Sequence, residues 1–193
     1  MIALAQALIA AAARLDADAD ELTRLDSLQG DGDLGRTAGL VASALRRALQ
    51  EYPDDSIKLL RACGTEIAAT APSSSGALIA SAFMAAAKAV SESVDGVVVA
   101  GLQGGVDGIQ HRGKAQPGDR TMLDALVPAL LVLQATPSNL QGAAEAAERG
   151  IEATRTMEAK FGRARFLAGN AVGEPDPGAA MVGNALAAAL RSA

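Results

Sequence analysis

Aromatic residues are nearly missing from this chain: one tyrosine, three phenylalanines and no tryptophan stand among 193 residues. An all-β core relies on aromatic and β-branched side chains, so the deficit excludes a β-sandwich. Cysteine and histidine occur once each. Cys63 therefore closes no internal disulfide and has no companion at metal-ligand spacing; it is expected to be a small buried core residue. His111 has no evident orienting acid beside it, and at a helix end it is expected to answer the local dipole or solvent rather than to catalyse. Positive charge is also short. Seventeen Lys and Arg face 22 Asp and Glu, for a net charge of -5 and an isoelectric point near 4.9. No basic stripe is left to track a phosphate backbone, which excludes nucleic acid as a main partner. Long apolar runs are missing too: the opening MIALAQALIAAAARL lacks the basic residues that precede a secretory core, and Gly76 to Val90, interrupted by Lys88, falls short of the roughly 20 residues of a membrane span. A soluble, cytoplasmic protein with no membrane partner is expected.

What the chain has in quantity is alanine, 45 residues by count. Small apolar side chains with high helix propensity favour closely packed helices, and the length suits one domain over residues 1–193. Leu4, Leu8, Ala11, Ala12 and Leu15 share one helical face, so a helix is predicted from Ile2 to Leu15, ended by the acidic stretch Asp16 to Asp20. A short helical piece carries Leu22, Leu25 and Leu28. A third helix runs from about Gly35 to Glu51, closed by Pro53. Asp54, Asp55 and Ser56 are N-cap candidates for the next, through Leu59, Leu60, Cys63 and Ile67. Further helices are predicted over Gly76 to Ser91, Val97 to His111, Thr121 to Leu133, Asn139 to Met157 and Pro177 to Ser192; only VVVA invites a strand. That is an all-α pattern of about nine segments with no internal repeat. In an up-and-down array successive connections alternate between the two ends, so polar loops gather at one of them.

Those loops hold the candidate chemistry. LDSLQGDGDLG places Asp26, Asp31 and Asp33 within eight residues, and their mutual repulsion calls for a cation unless water solvates them. On composition alone a solvated, capped turn and a metal site stand level. An EF-hand fits badly, because a loop starting at Asp31 puts Ala42 where a bidentate glutamate belongs. Magnesium shared with phosphates fits better, since that ion takes one or two carboxylates and completes its shell with water and phosphate oxygen. SSSGA, from Ser73 to Ala77, sets hydroxyls and free amides ahead of a helix, as anion sites do and as ordinary caps also do. RGKAQPGDRTM, from Arg112 to Met122, joins a flexible backbone to Lys114, Asp119 and Thr121. GRARFLAGNAVGEPDPGA brings Arg163, Arg165 and a DPG turn whose Pro177 suits a helix start.

These four segments, with Leu123 and Asp124 following the third, resemble in order those of the nucleotide-binding L-subunit family of dihydroxyacetone kinases, over nearly the whole chain. Nucleotide-binding domains of fatty-acid kinases are a poorer match, with a PDGDTG pattern and no closing DPGA. The resemblance implies an eight-helix antiparallel barrel with its nucleotide site in the loops at one end, the short second piece belonging to a loop. It implies that Asp26, Asp31 and Asp33 hold two magnesium ions, and that ADP or ATP is contacted by Leu34, Gly35, Arg36, Thr37, Ser74, Ser75, Gly113, Met122, Arg163, Asp176, Pro177 and Gly178. No catalytic residue is assigned on this chain. Two departures stand out: Leu34 replaces a frequent histidine, and SSSG after Pro72 replaces GGASG.

The implied activity is phosphoryl transfer to dihydroxyacetone or a similar small ketose, by positioning and charge neutralisation. The ketose is held on a K-type subunit, for which these residues leave no room. The resemblance further implies that ADP stays bound and is rephosphorylated by an M-type phosphocarrier subunit of a phosphotransferase system; the alternatives are an ATP-dependent kinase subunit and an ADP-binding adaptor without transfer.

Overall fold

The computed structural model describes residues 2–93, 96–166 and 173–193. Among them lie nine α-helices and no strand: α1 (Ile2–Ala17), α2 (Ala19–Ser27), α3 (Leu34–Glu51), α4 (Ser56–Thr70), α5 (Ser74–Glu92), α6 (Val97–Gly113), α7 (Leu123–Ala135), α8 (Leu140–Ala153) and α9 (Pro177–Arg191), with 3-10 turns at Thr154–Thr156 and Ala164–Phe166. The all-α expectation holds, and VVVA opens α6 rather than forming a strand. Several helix starts are written in single residues. Asp55 accepts the Lys58 N–H at 3.0 Å, Ser73 accepts that of Gly76 at 3.0 Å and Asn139 accepts that of Gly142 at 3.0 Å, each occupying one of the four donors that a helix start leaves open.

From α3 to α9 each helix packs against the next, and α9 closes the ring on α1. Both α1 and α2 lie against α3 and α9, so the two share one stave and nine helices make an eight-stave barrel. This corrects the assignment of the short second piece to a loop. The acidic stretch interrupts the helix only at Asp18. Its charges are answered from elsewhere: Asp18 accepts from Arg14 Nε and from Asn184 Nδ2, both at 2.8 Å, and Asp16 accepts from Arg46 at 2.5 Å.

Small side chains bring the staves together. Ala12, Ala38, Ala42, Ala125 and Ala129 are fully buried among Leu45, Leu59, Ile67, Leu123 and Leu133. Cys63 is a core residue as expected, and burial pushes its thiol up to about 12. The helix α5, at 19 residues, is long and apolar enough by composition to cross a membrane, longer than the apolar stretch read from the sequence because the helix takes in Ser74 and Ser75 at one end and Ser91 and Glu92 at the other. Here it is a stave between α4 and α6.

The alternation places the N-termini of α3, α5, α7 and α9 at one end, with the C-termini of α4 and α6, around a large open cavity. At the other end the barrel encloses an apolar cavity of about 330 Å³ bordered by Leu8, Leu45, Phe83, Leu102 and Met181.

Candidate functional site

The mouth at the first end has a volume of about 1830 Å³. Asp26 is in the last turn of α2, and Asp31 and Asp33 sit on the turn leading into α3. That turn depends on Gly32, whose φ of 74° suits a residue without a Cβ. It also depends on Gly35, where a Cβ would come within 2.1 Å of the Ala19 carbonyl oxygen, so α3 is able to start hard against α2. One carboxylate oxygen from each of Asp26, Asp31 and Asp33 lies within 4.8 Å of the other two. Asp26 is half-buried and its oxygen Oδ2 accepts the Leu34 N–H at 3.3 Å. Burial raises its pKa above the usual carboxylate range, the Leu34 hydrogen bond opposes the rise, and the charge of Asp31 adds to it.

Arg163, on the segment between α8 and α9, forms an ion pair with Asp31 and holds that carboxyl below its ordinary value through the side-chain hydrogen bond. Arg165, two residues on, turns away and stacks its guanidinium on the Phe166 ring, 4.4 Å from the centroid. The neighbouring residues 167–172 of the fourth motif lie outside the described residues.

Asp176, Pro177 and Gly178 form the N-terminus of α9 on the same cavity. The carboxylate of Asp176 accepts the Ala179 N–H at 2.7 Å, while its own N–H donates to Thr154 Oγ1 at 2.8 Å. Burial pushes its pKa up to about 7, against the pull of the Ala179 hydrogen bond and of the Arg120 charge and with a push from Asp124. The segment before it is fastened by donors from four places. Arg155 gives a hydrogen bond to the Gly173 carbonyl at 2.8 Å, Arg120 to the Glu174 carbonyl at 2.9 Å and Gln29 to the Pro175 carbonyl at 3.2 Å. Arg24 reaches the Glu174 carboxylate at 3.1 and 3.3 Å.

The loop after α6 is braced in the same way. Asp124, buried, accepts the Thr121 N–H at 2.7 Å and that of Gly118 on its other oxygen. Asp119 accepts from the Gln116 N–H at 2.8 Å and from Lys160 Nζ at 3.0 Å, and these hold its carboxyl below the usual range.

The sequence-predicted residues divide accordingly. Asp26, Asp31, Asp33, Leu34, Ser74, Ser75, Gly113, Met122, Arg163, Asp176, Pro177 and Gly178 all line the one mouth. Gly35, Arg36 and Thr37 do not: Gly35 and Thr37 are buried in α3 and Arg36 faces solvent. Thr37 still serves the site from beneath, donating to Ser73 Oγ at 3.1 Å and so tying the start of α3 to that of α5. His111 is exposed at the rim. Sequence reasoning missed Gln29, Arg120, Thr154 and Glu174. Thr154 lies in no motif, and Gln29, Arg120 and Glu174 sit inside motifs as unremarked letters.

A ring of helices that aims four N-termini, three clustered carboxylates and an arginine into one mouth defines a class: an all-α protein whose site suits a polyanion together with a divalent cation. Residues 28–191 match the family described as the DAK2 domain, and the chain belongs to that family. It is 40% identical over 176 residues to a dihydroxyacetone kinase of Citrobacter freundii, covering 86% of this chain and 31% of that protein. It is 37% identical to a triokinase/FMN cyclase of Homo sapiens, covering 90% of this chain and 31% of the other, and 35% identical to an L-erythrulose kinase of Pectobacterium atrosepticum, covering 98% and 35%. The solved dihydroxyacetone kinase of C. freundii superimposes with a TM-score of 0.83 at 31% identity, over 98% of this chain and 34% of that one, both in native form and in complex with AMP-PNP and Mg²⁺. The chain thus spans about a third of the length of the relatives it matches.

Proposed function

We propose that residues 1–193 form one nucleotide- and magnesium-binding domain, the cytoplasmic L-type subunit of a dihydroxyacetone kinase, acting on dihydroxyacetone or a similar small ketose held by a K-type subunit. The observation that carries the reading is the meeting of the aspartate triad, Arg163 and the Asp176–Gly178 turn at one mouth in a chain whose relatives include a dihydroxyacetone kinase solved with AMP-PNP and Mg²⁺.

The residues fit the implied metal. Three hard carboxylate oxygens gathered within 4.8 Å suit magnesium, and a bound ion would supply neutralisation of phosphate charge. Asp26, Asp31 and Asp33 would hold two such ions. The chain's own part in transfer is to place and polarise. The amides at the starts of α5 and α9 face the anion, the Arg163 guanidinium offers planar paired donors to phosphate oxygen, and the braced loops keep those donors in position. A docked K-type subunit would cover the mouth and exclude water from the transferring group. ADP would remain seated between cycles and be rephosphorylated by the M-type subunit, as in the phosphotransferase-linked members that the sequence resembles.

The test is reconstitution. Product formation is assayed with the chain alone, with a K-type subunit, and with that subunit plus ATP or an M-type donor chain. Turnover is expected only with the K-type subunit present. Robust turnover by the chain alone overturns the subunit reading, and no turnover in any combination leaves an ADP-binding adaptor. Retention of ADP through gel filtration separates a resident nucleotide from exchangeable ATP.

A further inference from the structure

Gln29 sits in the turn between α2 and α3, 3% exposed, and borders the mouth together with Asp26, Gly30, Asp31 and Asp33. Its amide orientation is set by its neighbours. Nε2 donates to the Pro175 carbonyl at 3.2 Å and more weakly to that of Leu25 at 3.5 Å. Reversing the amide would press an oxygen against two carbonyl oxygens, so the nitrogen must face them. The other corner of the amide, Oε1, is buried and has no hydrogen-bond partner among the described residues. A buried acceptor without a donor is costly to retain. The ionised carboxylates that border the same mouth accept only, so they offer it nothing. A ligand entering the mouth would bring a donor to it.

Magnesium keeps several of its waters when carboxylates bind it, and the ion polarises those waters into strong donors. We propose that Gln29 is a positioning residue of the metal site, with Oε1 accepting a hydrogen bond from a water on the ion held by the aspartates. The inference rests on the metal reading given above and adds a residue to it. It also gives the amide a second use: Nε2 holds the carbonyl just ahead of Asp176, so one side chain joins the metal turn to the nucleotide turn. Outer partners of this kind orient what the ligands bind and tune its affinity.

The experiment is calorimetric titration of ADP into the whole chain across a series of Mg²⁺ concentrations, with unfolding of the ligand-free protein in parallel. Gln29→Leu is expected to raise the Mg²⁺ concentration that half-supports ADP binding about tenfold, in the range found for lost outer-sphere partners. Losing the Nε2 bond to the Pro175 carbonyl lowers the ligand-free melting temperature and the metal-free ADP affinity as well, and the shift in Mg²⁺ requirement is read over and above that loss. Gln29→Glu gives up the same bond to the Pro175 carbonyl as the leucine variant does but keeps an acceptor toward the ion and adds charge; it is expected to lower the Mg²⁺ requirement, and it serves as the independent variant if the leucine protein fails to fold. A Mg²⁺ requirement unchanged in either variant overturns the proposal. So does an equal loss of ADP affinity with and without metal, which would make Gln29 a strut alone. Asp33→Asn is measured alongside: an unchanged Mg²⁺ requirement there overturns the metal reading itself, whereas a raised one with Gln29 silent overturns only the role of Gln29.

Discussion

Replacing Asp176 with asparagine should flatten a pH dependence that burial creates. The carboxyl is 8% exposed, and its pKa stands at about 7 against an ordinary 3.8. Below the unfolded value both states carry the proton and the group costs nothing. As pH rises, the unfolded chain ionises first and binds fewer protons than the native one, so stability falls until the native carboxyl also ionises near pH 7. At about 1.4 kcal/mol per pH unit, and with the slope tapering toward the upper value, the loss between pH 5 and pH 8 is about 3 kcal/mol. For a domain of this size that corresponds to roughly 5–10 °C in melting temperature. Asparagine keeps an acceptor for the Ala179 N–H but has no proton to lose. The variant and wild type should therefore differ more in favour of the variant at pH 8 than at pH 5, by about that amount. Comparing the two proteins at each pH cancels the titration of every other group. A difference that stays flat, or that favours the wild type at pH 8, would mean that Arg120 keeps Asp176 ionised throughout and would refute the reasoning.

Two further outcomes are expected. Arg163→Ala should weaken Mg-nucleotide binding and strengthen the binding of Mg²⁺ alone, because the guanidinium now paired with Asp31 would no longer compete for that carboxylate; Arg165→Ala, whose side chain lies on Phe166, should change neither, and calorimetry showing the reverse would place the functional arginine two residues later. Gly35→Ala should destabilise the protein by about 1–3 kcal/mol, since its Cβ meets the Ala19 backbone carbonyl as well as the Thr23 hydroxyl, and the backbone cannot swing aside; a melting temperature equal to wild type would contradict the close approach of α2 and α3.

Much of this was legible in the sequence because the signals are local. Period-3.6 spacing found the staves, and Asp55, Ser73, Asn139 and Pro177 marked helix starts within a few residues. The gathering of motifs at one end followed from alternation alone. What was not legible depends on partners far along the chain. The acidic stretch does end α1, at Ala17, but that α2 starts within it at Ala19 depends on Arg46 and Asn184, which answer Asp16 and Asp18. The fastening of residues 173–175 draws on Arg24, Arg120 and Arg155, none of which carries a local mark. Arg36 shows the converse: adjacent to the aspartate turn in sequence, it is exposed on α3 and away from the mouth, because a helix turns each successive side chain by about 100°.

The two ends of the molecule are held by different forces. Alanine and leucine close the staves, whereas the segment that delivers Asp176 is moored in part by exposed Arg24 and half-exposed Arg155, to the Glu174 carboxylate and the Gly173 carbonyl. Salt screens exposed charge and leaves apolar burial intact or stronger. Ionic strength is therefore a dial that acts on one end: it slackens the moorings around the mouth while the barrel beneath keeps its shape, so the readiness of the site and the persistence of the fold answer to separate properties of the solvent.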